Sequence, residues 1–274
     1  MNSRARAGLR LATWLVATFV ALALAGQGIS AAGLGNLTGY AILDAIVLAT
    51  AFGCWRALDR ERPSRTPVAP ARAPRGFVRG GAIGVALVAV VVVILAVFGA
   101  YDLAPRACRA EPLLRFVGGT FAFVALAALF EEALFRSYGL FALRDLAGPI
   151  VAVTLTAALF AFGHQANPGF GWAAVLNLGL VGVILAAWVI AERDVWLAVG
   201  AHTGWNAAIV IGAAVPVSGM AIPAPCHAGI LTGPTWLTGG AFGLEAGVPT
   251  AVAWIGLGSW LFARRARGRA AAGP

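Results

Sequence analysis

Apolar stretches of about 20 residues recur along this chain. A stretch that long and that apolar is stable in a bilayer as a helix, because a helix satisfies its own backbone groups internally. Eight stretches qualify: 11–26, 37–55, 81–100, 116–138, 149–165, 171–191, 196–215 and 248–262, of which the fifth and eighth are short. The composition agrees. The chain is 60% hydrophobic and 11% charged, whereas a soluble domain is about a quarter charged. The expected fold is all-α, a polytopic transmembrane helical bundle of about eight spans with no large soluble domain. Three parts are expected: an N-terminal two-span segment with a basic loop (1–80), a core (81–262) and a basic tail (263–274).

All 20 basic residues are arginine. They fall mainly between the apolar runs, which is the positive-inside pattern of membrane topology rather than the aromatic-interleaved surface of a nucleic-acid binder. Segment 56–80 carries seven arginines among prolines and reads as a mobile, extended cytoplasmic loop. The tail is also basic. Eight spans return both ends to one side, so both termini are expected in the cytoplasm, with 101–115 and 216–247 outside. Arg4, Arg6 and Arg10 ahead of an apolar run resemble a signal sequence; with many spans following, an uncleaved signal anchor is the expectation. Cys108 and Cys226 both fall on the outer side, where a disulfide is permitted, and Cys54 reads as a small apolar residue in a span.

Polar residues inside the spans are costly and therefore candidates for function. Glu131 and Glu132 are adjacent in the fourth span. Glu132 and Arg136 are spaced i, i+4, so they share a helix face and can pair. Glu131 points about 100° away and has no local cation. Arg136 and Glu132 thus read as a scaffold and Glu131 as a general base. The competing reading of Glu132 and Arg136 is a buried ion pair that only fixes packing.

The Leu146-Ala147-Gly148-Pro149 turn separates this span from the next, with Glu131 and His164 at nearly equal distances from it, so an antiparallel hairpin sets them at one level. A lone histidine is otherwise more often a core residue. His202 and Asn206 are also i, i+4 and could donate hydrogen bonds to an oxyanion; their bland alternative is interhelical hydrogen bonding. One tension is left. Arg136 and Trp196 place Glu131 and His202 near the cytoplasmic side, while His164 lies at the far end of its span. The depths agree if that helix begins outside the bilayer or stops partway, and Asn167-Pro168-Gly169 suits a helix ending beside a wet cavity. Zinc-protease and serine-hydrolase signatures are missing from the sequence.

The ordered trio Glu131-Glu132-x-x-x-Arg136, Phe160-x-x-x-His164 and His202-x-x-x-Asn206 resembles the three motifs of the CaaX protease and bacteriocin-processing (CPBP, or Abi) family of intramembrane proteases, over roughly residues 113–215. The resemblance implies an intramembrane glutamic endopeptidase. Glu131 and His164 would activate a water, His202 and Asn206 would form an oxyanion hole, and Glu132, Arg136 and Phe160 would support them. It implies a membrane-associated peptide or protein substrate, CaaX-like or bacteriocin-like, in a prokaryotic cell membrane. No cofactor is expected; the alternative is zinc held by Glu131, His164 and His202. Two other readings stay open: a non-catalytic immunity or scaffold protein of the same fold, and a small transporter using the carboxylates for protons. The substrate and the oligomeric state are not legible.

Overall fold

A computed structural model describes residues 3–271; residues 1–2 and the end of the basic tail, 272–274, lie outside the described residues. In chain order the elements are α1 (Ser3–Ala31), α2 (Asn36–Ala57), α3 (Ala73–Val97), β1 (Tyr101–Pro105), α4 (Ala110–Arg136), α5 (Tyr138–Ala147), α6 (Pro149–Phe162), α7 (Trp172–Glu192), α8 (Val195–Ala207) with a π-helical extension (Ala208–Ala213), β2 (His227–Leu231), α9 (Thr235–Thr238) and α10 (Val248–Ala271). The molecule is an all-α polytopic bundle. Each apolar stretch of the sequence is a helix. Among the described residues, six helical segments are long and apolar enough to cross a membrane. The other two are the stretches read as short. At 14 residues, α6 is about 21 Å long, less than the about 30 Å of a hydrocarbon core. The α10 helix runs on into the arginines, so the basic tail is helical through Ala271 rather than a separate segment.

The closest helix pair is α3 against α8. Gly76, Gly80 and Gly84 line one face of α3. A Cβ at Gly80 would strike the Leu197 carbonyl, and one at Gly84 the Ala201 carbonyl. From the other side, Gly200 and Gly204 meet the backbones of Phe77 and Gly81. Small residues let two backbones touch, which is how helices adhere where lipid removes the hydrophobic drive. This contact fixes α8, and α8 carries His202 and Asn206.

The arginine-bearing ends gather at one end of the bundle. Arg10 pairs with Asp59 and Asp145, and Arg193 with Glu61. Here the structure corrects the reading of 56–80 as a mobile, extended loop. Thr66, Val68 and Ala69 are fully buried. The Pro67 carbonyl accepts from Val195 N–H, the Ala69 carbonyl accepts from Trp196 Nε1–H, and Arg72 donates to the Arg193 carbonyl. The composition suggested solvation; bonding to the α7–α8 junction orders the segment instead.

At the opposite end β1 and β2 pair antiparallel, with Tyr101 opposite Leu231 and Pro105 opposite His227. Cys108 and Cys226 are joined in a disulfide beside this sheet. Cys54 is free and buried.

Candidate active site

The site lies where α4, α6 and α8 meet. The α4 helix breaks at Ser137, and α5 carries the chain on along α1, with Gly139 against Trp14 and Gly8 facing Leu146. Gly148, at φ 88°, takes the left-handed conformation that ends α5, and Pro149 opens α6.

This arrangement removes the depth conflict. The Arg193 guanidinium lies 5.3 Å from the Phe141 ring centroid, so α8 begins level with the middle of α5. Counting from that level, Glu131 is ten residues back and His202 nine forward, each about 14–15 Å away. The α6 helix starts beyond that level, below the end of α5, and is too short to span. Its C-terminus therefore stops at the depth of Glu131 and His202.

The Glu132 and Arg136 side chains are fully buried and pair through Glu132 Oε1 and Arg136 Nη1 at 3.0 Å. The same Glu132 oxygen lies 3.0 Å from His202 Nδ1. Arg136 is thus linked to the His202 ring through Glu132. The Arg136 guanidinium also stacks over Phe160, 4.2 Å from its centroid. Phe160 in turn lies edge-on to both His164 and His202, with centroids 5.1 and 5.9 Å away.

His164 Nδ1 is 2.9 Å from the Phe160 carbonyl oxygen. A carbonyl only accepts, so Nδ1 carries the proton and Nε2 faces outward. Glu131 Oε2 lies 3.9 Å from His164 Nε2 and 4.0 Å from His202 Nε2. Two hydrogen bonds of about 2.8 Å meeting at one water oxygen put their outer atoms about 4.5 Å apart, so the Glu131–His164 gap is close to a one-water bridge.

These groups open onto a cavity of about 380 Å³. Its polar wall includes Glu131, His164, Asn167, His202, Asn206 and Ser218; its apolar wall includes Tyr40, Phe123, Phe130, Phe135 and Ile222. The Asn206 Oδ1 atom has no hydrogen-bond partner among the described residues. Tyr40 packs edge-on against Phe123 and Phe130 and so brings α2 to the cavity. All four residues expected to do chemistry, and the three expected to support them, therefore fall in one place.

Residues 113–208 match the family described as type II CAAX prenyl endopeptidase, Rce1-like. The match is to the CaaX protease family. The Rce1-like segment takes in α4 from Leu113, α5, α6, α7 and all of α8, and it contains each of the three motifs. No curated protein and no solved structure matches the chain. The apolar helices fit a multi-pass membrane protein, and residues 113–208 are similar to a protease family.

Sequence reasoning missed three buried groups around this core. Asp44, on α2, is 3% exposed, and neither of its carboxylate oxygens has a hydrogen-bond partner among the described residues. It could have been found by the signal that marked Glu131, a carboxylate in an apolar run. Asn177, on α7, donates to the Glu245 and Gly247 carbonyls. Glu245 is 6% exposed in a short turn, and no spacing in the sequence pointed to it.

Proposed function

We propose that this protein is an intramembrane endopeptidase in which Glu131 and His164 activate a water against a peptide bond of a membrane-associated substrate. The observation that carries this reading is the approach of Glu131 Oε2 to both histidine Nε2 atoms, at 3.9 and 4.0 Å, on the wall of a cavity large enough for an extended peptide segment.

The chemistry follows from donors and acceptors. Glu131 and the outward Nε2 of His164 both accept, so a water between them gives each a proton and turns its lone pair outward. Attack on the scissile carbonyl transfers one proton to Glu131, which can pass it to the leaving amine. The tetrahedral oxyanion needs donors. His202 in its doubly protonated form would keep Nδ1–H on Glu132 and donate Nε2–H, and the Asn206 amide would donate from one turn further along α8. Arg136 holds the Glu132 carboxylate in place, so it supports His202 at second hand.

No cofactor enters this mechanism. The alternative is a zinc ion on Glu131, His164 and His202. Among the described residues no group of three or more His, Cys, Asp or Glu is placed to hold a metal ion. A zinc enzyme would lose activity with a strong chelator and regain it with zinc; the glutamate reading expects neither.

The CAAX prenyl endopeptidase description and the apolar cavity wall favour a lipidated or hydrophobic peptide. We place the arginine-rich end in the cytoplasm of a prokaryotic cell on the positive-inside rule. The test is cleavage of a quenched-fluorescent farnesylated peptide ending in a CaaX sequence, together with mass spectrometry of membrane proteins from cells carrying wild type or Glu131→Gln. Loss of the general base should slow cleavage by about 10²–10⁴-fold with the protein still inserted and folded. Equal cleavage by Glu131→Gln would sink the reading. A stability loss with no proteolysis in the wild type would favour a non-catalytic scaffold, which the fully buried Glu132–Arg136 pair also suits.

A further inference from the structure

Glu245 is a buried carboxylate outside the Rce1-like segment and outside the three motifs. It sits in the short turn Leu244–Ala246. Among the described residues no cation pairs with it; it is held by neutral donors instead. Ser218 donates to Oε2 from both its backbone N–H and its hydroxyl, and Trp205 donates Nε1–H to Oε1 at 3.2 Å. Its two oxygens therefore hold two different parts of the protein.

One part is α8. Trp205 directly precedes Asn206 and lies one turn from His202. The other is the turn after α6. The Ser218 carbonyl accepts from the Asn167 side-chain amide at 2.9 Å, and the Asn167 backbone N–H donates to the His164 carbonyl at 2.9 Å. Gly219 lies against the Pro168 backbone so closely that a Cβ there would strike the Pro168 carbonyl, and its N–H donates to the Phe242 carbonyl. Ser218 itself stands at φ 46°, a left-handed conformation that a serine adopts only when its surroundings fix it. The surroundings here are the Glu245 carboxylate and the Asn167 amide. Glu245, Ser218, His164, His202 and Trp205 also line one small cavity of about 20 Å³, the size of a single water.

We propose that Glu245 is a positioning residue: one carboxylate oxygen fixes the His164 turn through Ser218 and Asn167, the other fixes the His202–Asn206 helix through Trp205, and so it sets the separation of the two histidines. It touches no substrate. Because α6 stops short, His164 lies just beyond the last helical residue, and helical hydrogen bonds alone do not hold it. The chain's own elements after residue 208 supply that restraint.

The catalytic half of this proposal rests on the endopeptidase reading, so the test has two arms. Glu245→Gln keeps the shape, but one of its two oxygens becomes a donor facing either Ser218 or Trp205. The first arm is hydrogen–deuterium exchange of the full-length protein in detergent. Faster exchange in both 163–171 and 216–220, with α3 and α4 unchanged, is the expected result. Faster exchange in 216–220 alone, or a uniform rise across the protein, would overturn the proposal. The second arm is cleavage of the farnesylated CaaX peptide. Misplacing His164 by about 1 Å is expected to lower kcat by about 10- to 100-fold with KM nearly unchanged. Asn167→Ala should do the same, and the double variant should be no slower than the slower single one; multiplying losses would mean that the two act separately. If wild type fails to cleave, or Glu131→Gln cleaves equally, the endopeptidase reading fails, and the exchange arm still decides whether Glu245 holds the two segments together.

Discussion

Arg136 has a fully buried guanidinium whose only charged hydrogen-bonding partner among the described residues is Glu132, with Phe160 stacked on its face. Removing one member of such a pair strands the other charge in the bundle. Arg136→Met should therefore destabilise the protein by about 3–5 kcal/mol, measured as a fall in thermal or denaturant midpoint. The double variant Glu132→Leu/Arg136→Met replaces the pair with apolar groups and should recover most of that loss. Its cleavage should stay low, because His202 Nδ1 then lacks the carboxylate that orients its ring. Recovery of activity together with stability would mean that Glu132 serves packing alone.

At the scale of elements, the glycine faces of α3 and α8 make a discriminating prediction. Gly84→Ala places a methyl against the Ala201 carbonyl and the Trp205 amide, so α8 must shift. A cost of about 1–3 kcal/mol and reduced cleavage are expected, whereas Gly53→Ala on α2, where a Cβ meets nothing within 4 Å, should leave both unchanged. Thermal midpoints and cleavage rates of the two variants check this.

The same scale shows what was legible in the sequence. Helices were readable because a bilayer permits few other solutions, and Glu132 with Arg136 was readable because an i, i+4 spacing acts within one helix. The nearly equal counts from the Leu146–Pro149 turn to Glu131 and His164 also carried real information, since both residues reached one cavity. Contacts that depend on which helices meet were not readable. Residues 56–80 look solvated by composition, yet Val68 and Ala69 are buried, with the flanking Pro67 and Ala69 carbonyls accepting from Val195 and Trp196 of α8. Glu245 becomes meaningful only once Ser218 and Trp205 are brought to it from other elements.

The whole molecule has two unlike ends. Arginines and their carboxylate partners crowd one; the β1–β2 sheet and the Cys108–Cys226 bond close the other. The bond closes a loop across a sequence separation of 118 residues, so losing it frees a long stretch of the unfolded chain. Cys226→Ser should cost about 2–5 kcal/mol. Alkylation of the denatured, unreduced protein should label Cys54 alone, and labelling of Cys108 and Cys226 as well would show that the bond is not formed.

The cavity is not centred between these ends. From Glu131 it runs past Phe123 and Tyr40 to Ile222, away from the arginines, and Tyr40 stands near the start of α2, whose last turn carries Arg56 at the basic end. A peptide filling it would reach the histidines from the disulfide side. Whatever fills the cavity would therefore approach from the end that the Cys108–Cys226 bond marks, the end away from the arginines.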